Sequence, residues 1–121
     1  METELQDFIQ STFRSVWALE LLLFLKRHGE SAWTTADLVR EMRGSEPVVT
    51  QSVATLQAAG LVVQDAEGRF LFAPASPGLR DLADAAEKAY TEKPTAVRRL
   101  VLTGPSDKLQ TLADAFRLRK D

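Results

Sequence analysis

The stretch from Thr34 to Pro74 constrains the fold most, because it carries the signals for two short helices and a hairpin in a fixed order. Its first residue is a predicted N-cap with Asp37 three residues later, and Gly44 is predicted to end this helix. Ser45 then caps a second helix, which has a proline in its first turn and is predicted to stop at Gly60.

Two runs rich in β-branched and aromatic residues follow the second helix. They are LVVQD at 61–65 and RFLFA at 69–73, separated by Ala66-Glu67-Gly68, a loop whose glycine can supply a positive φ. We expect these runs to form a hairpin and Trp33 to lie in a short strand that pairs with it.

The middle of the chain resembles the winged helix-turn-helix superfamily of bacterial transcriptional regulators. The resemblance rests on TTADLVREM, the Gly44-Ser45 turn, VVTQSVATLQAAGLV and the hairpin. The resemblance covers the middle of the chain and implies a mainly α fold with a small β-hairpin, a winged helix-turn-helix with N- and C-terminal helical extensions. It also implies a transcriptional regulator that binds double-stranded DNA as a homodimer. Because the same fold also serves as a protein-docking module, an interaction module that does not bind DNA is the alternative.

The second helix has distinct inner and outer sides when its residues are placed at about 100° intervals. Val49, Val53 and Leu56 face the core, whereas the outer side holds Pro47, Gln51, Ala54 and Ala58, flanked by Thr50 and Thr55. In a major groove the Gln51 amide can bond to adenine, and the two threonines can reach phosphate or a thymine methyl. Arginines before this helix and on the hairpin are the predicted phosphate contacts. The predicted DNA-binding residues are therefore Arg40, Arg43, Ser45, Pro47, Thr50, Gln51, Thr55 and Arg69.

The charge distribution counts against DNA binding. The whole chain has a formal net charge of −2, but residues 29–75 hold three basic and six acidic residues, a net charge of −3. Phosphate neutralisation by lysine and arginine supplies most non-specific DNA affinity. By one alternative, the arginines are solvated surface charges and Gln51 is merely exposed. By another, Pro47, Ala54 and Ala58 form a protein-docking face, which lacks large anchor residues.

The N-terminal region, 3–28, is predicted to be helical, with a possible break between Ser11 and Ser15. The segment VWALELLLFL at 16–25 is apolar at all positions but one, so it is either central to a core or shared with a second subunit. We expect the residues from Leu5 to Leu25 to form part of a homodimer interface; the alternative is that C-terminal helices of the same chain cover them.

Residues 1–75 are thus predicted to hold the N-terminal helix and the winged unit, and 76–121 a helical extension that packs on the same core or on a partner subunit. In this extension Ser76 caps a helix that breaks at 91–94, and a second break at Gly104-Pro105 precedes a final amphipathic helix. The apolar stripe of that helix is Leu109, Leu112, Ala113 and Phe116. The basic residues Arg117, Arg119 and Lys120 either contact flanking phosphates or complement the helix dipole.

Little in the chain suggests catalysis or a cofactor. The sequence contains no cysteine, one histidine, His28, and no glycine-rich phosphate loop. Asp81, Asp84 and Glu87 share one helix face, where a metal or acid-base site is less favoured than a water-facing stripe. No catalytic residue, metal or cofactor is predicted. The acidic N-terminus and the short apolar runs favour a soluble cytoplasmic protein.

Overall fold

The computed structural model describes residues 2–103 and is mainly helical with one small antiparallel sheet, as expected. Within these residues the helices are α1 (Thr3–Thr12), α2 (Val16–Arg27), α3 (Thr35–Met42), α4 (Glu46–Ala58), α5 (Pro77–Glu92) and α6 (Pro94–Leu102), and the strands are β1 (Val62–Gln64) and β2 (Phe70–Phe72). The predicted helix at 106–116 and the basic residues Arg117, Arg119 and Lys120 lie outside the described residues.

Side-chain caps begin most of the helices where the sequence predicts them. Thr34 and Asp37 form a reciprocal capping box at α3, in which each side chain accepts a hydrogen bond from the other residue's backbone N–H. The hydroxyl groups of Ser15, Ser45 and Ser76 accept hydrogen bonds at the starts of α2, α4 and α5. These local signals set the element boundaries.

The turn between α3 and α4 differs in one detail from the expectation that Gly44 ends α3. The left-handed residue is Arg43, with φ 54°, whereas Gly44 follows it and is packed against Trp17. An ideal Cβ at Gly44 would lie 2.5 Å from Cζ2 of the Trp17 indole, so this position has no room for a side chain. Glycine is needed here for space and not for a positive φ.

The hairpin follows α4 as predicted, with positive φ at Gly60 (79°) and at Gly68 (82°). Strands β1 and β2 pair antiparallel, with Val62 opposite Phe72 and Gln64 opposite Phe70. Trp33 forms a single antiparallel bridge with Phe70, and the two residues exchange backbone hydrogen bonds of 2.8 and 2.7 Å. The expected pairing of Trp33 with the hairpin is therefore confirmed as one bridge.

The N-terminal region is divided into α1 and α2, which meet at a bend of 105°. The predicted break between Ser11 and Ser15 is thus confirmed, and Ser15 caps the second helix. No single helix in residues 2–103 is long and apolar enough to span a membrane. Helices α1 and α2 taken together have the length and apolar composition of a membrane span, but they are bent relative to each other.

The apolar residues of α1 and α2 are buried within a single chain. Ile9, Leu19, Leu21, Leu22 and Leu25 have no accessible surface, and the core that covers them extends to α5 and α6. Helix α1 packs on α5 and α6, while α2 packs on α4, α6 and β2. The reason for expecting a homodimer interface at Leu5–Leu25 therefore does not hold, because elements of the same chain already cover these side chains.

An ion-pair cluster joins α2 to α5 and was not anticipated. Lys26 Nζ lies 2.8 Å from Asp84 Oδ1 and 2.5 Å from Glu87 Oε1, and Arg27 Nε donates to Glu87 Oε2 at 3.2 Å. Glu87 is largely shielded from water by these contacts, with a quarter of its side chain exposed. Asp84 remains 56% exposed, as a water-facing stripe predicts, but both carboxylates also pair with basic residues of α2.

Candidate nucleic-acid interface

Helix α4 is anchored by one side and exposed on the other. Val49, Val53 and Leu56 are buried, as predicted, and Ser52 lies beside them with 6% of its surface exposed. Val48, in the first turn of the helix, is 39% exposed. The outer residues Pro47, Thr50, Gln51, Ala54 and Ala58 are all exposed. The sequence pattern thus correctly assigns the outer side of this helix.

Two of the polar candidates on α4 are partly engaged within the helix. The Thr55 hydroxyl donates to the Gln51 carbonyl oxygen at 3.1 Å, and Thr55 is only half exposed. The Ser45 hydroxyl accepts the N–H of Val48 at 3.4 Å as the helix cap. Gln51 and Thr50 have no such side-chain bond within residues 2–103, so their polar groups are available to a ligand.

Arg40 and Arg69 face carboxylates. Arg40 Nη2 donates to Asp37 Oδ1 at 2.7 Å. On the hairpin, Arg69 Nε lies 3.0 Å from Asp65 Oδ2 and its Nη2 lies 3.1 Å from Glu67 Oε1. The attraction of Asp65 raises the pKa of Arg69, and the backbone N–H of Arg69 is the main cause of a lowered pKa at Asp65. Both predicted phosphate contacts are therefore already neutralised by neighbouring acids.

Arg43 is placed differently. It is exposed at the left-handed C-cap of α3, immediately before the turn into α4, and it forms no ion pair within residues 2–103. Of the three arginines predicted to contact phosphate, it is the one whose charge is uncompensated in this part of the chain. Its position beside the first turn of α4 is the one that the sequence predicts.

Arg14 was missed by the sequence analysis. It lies in the bend between α1 and α2, is exposed, and has no ion pair in the described part of the chain. Together with Gln51 and Thr55 it lines two adjoining depressions along α4, with volumes of about 690 and 410 Å³. The only sequence signal near Arg14 is the predicted break between Ser11 and Ser15. This break does not show that α2 begins beside α4.

The larger depression is a groove between the C-terminal end of α1 and the outer side of α4. Phe8, Ser11 and Thr12 form one wall, whereas Ala54 and Ala58 belong to the other. The outer side of α4 is therefore open but bordered by α1. A duplex that reaches Gln51 would pass close to Arg14.

The exposed side of α4 and its borders carry polar and basic side chains of three kinds. These are amides, hydroxyls and guanidinium groups, which bind nucleic-acid edges and phosphates. The acidic residue of α4 is Glu46, which lies in the first turn and is exposed. No group of three or more histidine, cysteine or acidic side chains is arranged to hold a metal ion in the described residues, and the Asp84 and Glu87 carboxylates are paired with Lys26.

A comparison with models of known protein families finds no match for this chain, and a comparison with curated protein sequences finds no significant similarity.

Proposed function

We propose that this protein is a DNA-binding transcriptional regulator of the winged helix-turn-helix type. In this proposal α3 and α4 are the helix-turn-helix, β1 and β2 are the wing, α1 is the N-terminal extension, and α5 and α6 belong to the C-terminal extension. The observation that carries the proposal is the outer side of α4, which is exposed, free of acidic residues from Pro47 to Ala58, and bordered by Arg14 and Arg43.

The proposed contacts follow from this geometry. Helix α4 enters the major groove, where the Gln51 amide accepts and donates to a base edge and Thr50 reaches a phosphate or a thymine methyl. Arg14 and Arg43 contact phosphates on either side of the first half of α4. Arg40 and Arg69 contribute less than the sequence suggests, because each would have to leave a carboxylate partner.

Few phosphate contacts imply weak, salt-dependent binding. With two to four neutralised phosphates, the slope of log affinity against log salt concentration is expected to be about −2 to −4. We expect Arg14→Gln and Arg43→Gln each to weaken binding to all duplexes by roughly three- to ten-fold and to reduce the slope by about one. Gln51→Ala should instead change the preference at one base pair.

Fluorescence anisotropy with labelled duplexes of random and selected sequence, over a range of salt concentrations, measures these effects. Lys88→Gln is a matched control, since it removes one exposed positive charge from α5, a helix outside the proposed helix-turn-helix. If Arg14→Gln and Arg43→Gln bind as tightly as Lys88→Gln, the proposed orientation of α4 is wrong.

A second candidate is a winged-helix interaction module that docks another protein. It is favoured by the carboxylate partners of Arg40 and Arg69 and by the groove between α1 and α4, whose walls include Phe8, Ala54 and Ala58. The absence of any duplex binding at low salt and tens of micromolar protein would favour this module over the regulator.

The homodimer remains a separate proposal. Because the apolar side chains of α1 and α2 are covered within one chain, a dimer has to use other surfaces, among them the C-terminal extension. Sedimentation equilibrium over a wide concentration range tests whether the protein associates.

A further inference from the structure

The smaller of the two depressions beside Arg14 lies between the start of α2 and the first half of α4, and we refer to it as the α2–α4 depression. Its volume is about 410 Å³. Besides Arg14, the residues that line it include Ser15, Trp17, Ala18, Gln51 and Ser52. None of its lining residues within the described chain is acidic. The depression therefore offers an anion a positive charge and hydrogen-bond donors without a competing carboxylate.

Ser52 lines this depression with a hydroxyl group that the fold does not use. Only 6% of the residue's surface is exposed, and its side chain forms no hydrogen bond within residues 2–103. The Thr55 hydroxyl, by contrast, donates to the Gln51 carbonyl oxygen. Buried hydroxyl groups normally have a partner, because leaving one unpaired costs stability. A ligand in the depression would supply the partner that Ser52 lacks.

The N-terminus of α2 borders the same depression. The Ser15 hydroxyl accepts the N–H of Ala18 at 3.1 Å, whereas the N–H groups of Val16 and Trp17 have no hydrogen-bond partner within residues 2–103. The first turn of α2 also carries no acidic residue, in contrast to the first turns of α3 and α4. Free N–H groups at the positive end of a helix dipole bind anions.

We propose that the α2–α4 depression binds a phosphoryl group. Arg14 supplies a guanidinium that forms no ion pair in the described chain, Ser52 supplies a hydroxyl donor, and the start of α2 supplies free N–H groups. These three kinds of donor are the usual partners of phosphate oxygens. The phosphoryl group is presented either by the backbone of a DNA duplex or by a free phosphate monoester. Only the first of these sources rests on the proposed function.

Titration with inorganic phosphate tests the site without DNA. At constant ionic strength, and with chloride as the reference, phosphate should shift the NMR signals of the Val16, Trp17 and Ser52 amides more than those of the hairpin at 62–72. Ser52→Ala should weaken phosphate binding by roughly ten-fold, the loss typical of a hydrogen bond to a charged partner. Thr12→Val is the matched control and should leave phosphate binding unchanged, since it removes a hydroxyl from an equally buried residue that lines the other depression.

Urea unfolding separates a role in binding from a role in the fold. Because the Ser52 hydroxyl is unpaired in the free protein, Ser52→Ala should not lower the urea midpoint in chloride. Replacing chloride by phosphate at equal ionic strength should raise the midpoint of the natural protein and raise that of Ser52→Ala less, because a ligand stabilises the state that binds it. Equal gains in the two proteins would overturn the proposal.

Duplexes that carry one neutral methylphosphonate at successive backbone positions identify the source of the phosphoryl group. If the source is the backbone, Ser52→Ala weakens binding of the unmodified duplex but causes no further loss at one modified position. If the source is a free monoester, Ser52→Ala weakens binding of phenyl phosphate by roughly ten-fold and leaves the duplex affinity unchanged. Either result supports the site.

Two results of the phosphate titration would contradict the site. One is that phosphate and chloride shift the amides at the start of α2 equally, and the other is that Ser52→Ala and Thr12→Val bind phosphate equally well. Phosphate binding without any duplex binding would instead support the site with a free monoester as its ligand and count against the proposed function.

Discussion

Gly44 lies against the indole of Trp17, and this contact ties the start of α2 to the turn before α4. We expect Gly44→Ala to lower the free energy of unfolding by about 1–3 kcal/mol, because the added methyl overlaps a ring held in the packed core. Urea unfolding followed by circular dichroism measures the change.

Gly78→Ala is the matched control for this substitution. At Gly78, near the start of α5, the nearest atom to a new Cβ is 3.8 Å away, so alanine should stabilise the helix by roughly 0.5–1 kcal/mol. If both variants shift stability in the same direction, the contact with Trp17 does not limit position 44.

Glu87 holds α5 to α2 through Lys26 and Arg27. The hydrogen bond from Lys26 is the largest cause that lowers the pKa of Glu87 below its ordinary value of 4.5, although burial opposes it. Burial also lowers the pKa of Lys26, but its bonds to Asp84 and Glu87 outweigh this effect and raise it above 10.5. The ion pairs of the cluster therefore stabilise the fold fully between pH 4.5 and pH 10.5, where both groups are charged.

We expect Glu87→Gln to cost about 1 kcal/mol of stability at pH 7, since the pair is partly shielded from water. The carboxylate contributes fully above pH 4.5, and its contribution is lost as the pH falls through its lowered pKa. The difference between Glu87→Gln and the natural protein should therefore shrink in urea titrations below that pH.

Asp81→Asn serves as the comparison, because Asp81 is an exposed carboxylate on the same helix without an ion pair in residues 2–103. An equal loss of stability for Asp81→Asn and Glu87→Gln at pH 7 would argue against a specific role for the cluster. The Lys26 side of the cluster is tested above pH 10.5, where the stability it provides is lost as the pH rises through its raised pKa.

At the scale of the element, the hairpin depends on a single loop carboxylate. Asp65 accepts hydrogen bonds from the backbone N–H groups of Glu67 and Arg69 at 3.0 and 2.8 Å, and from Arg69 Nε at 3.0 Å. Asp65→Ala should therefore lower the urea midpoint and speed amide exchange in β1 and β2. Glu67→Ala removes only the second partner of Arg69 and should have a smaller effect; the reverse order would contradict this account of the loop.

The element boundaries could be predicted because their signals lie within a few residues of one another. Thr34 with Asp37, and Ser45 with Pro47, specify helix starts by local hydrogen bonds and a fixed φ. The ion pairs of Arg69 could also be predicted, since Asp65 and Glu67 are its neighbours in the loop.

Contacts between distant elements could not be predicted in the same way. Lys26 and Glu87 are 61 residues apart, and nothing in either local sequence specifies that α5 returns to α2. The proximity of Arg14 to Gln51 has the same origin, because it depends on how α2 packs against α4. The side of α4 that faces outward was predictable from periodicity, whereas the charges that border it were not.

At the scale of the whole molecule, α2 supplies buried residues to a hydrophobic core that it shares with the other described helices and the hairpin. Leu22 has no exposed surface, so Leu22→Ala should lower the free energy of unfolding by about 2–5 kcal/mol. Val63→Ala, at a position that is 44% exposed, should cost less than about 1 kcal/mol.

Because Leu22 is covered within one chain, Leu22→Ala should leave the sedimentation coefficient unchanged under native conditions. A shift from dimer to monomer in this variant would instead place α2 in a subunit interface. Both quantities are obtained from urea unfolding and sedimentation velocity on the same samples.

The packing of α1 on α5 and α6 brings the two ends of the described chain together. During synthesis, Ile9 and Phe13 leave the ribosome long before the residues that will cover them, among them Val97 and Val101. The N-terminal apolar residues of the nascent chain therefore stay uncovered until α6 has been synthesised, and chaperones that hold apolar segments are expected to bind them during this period.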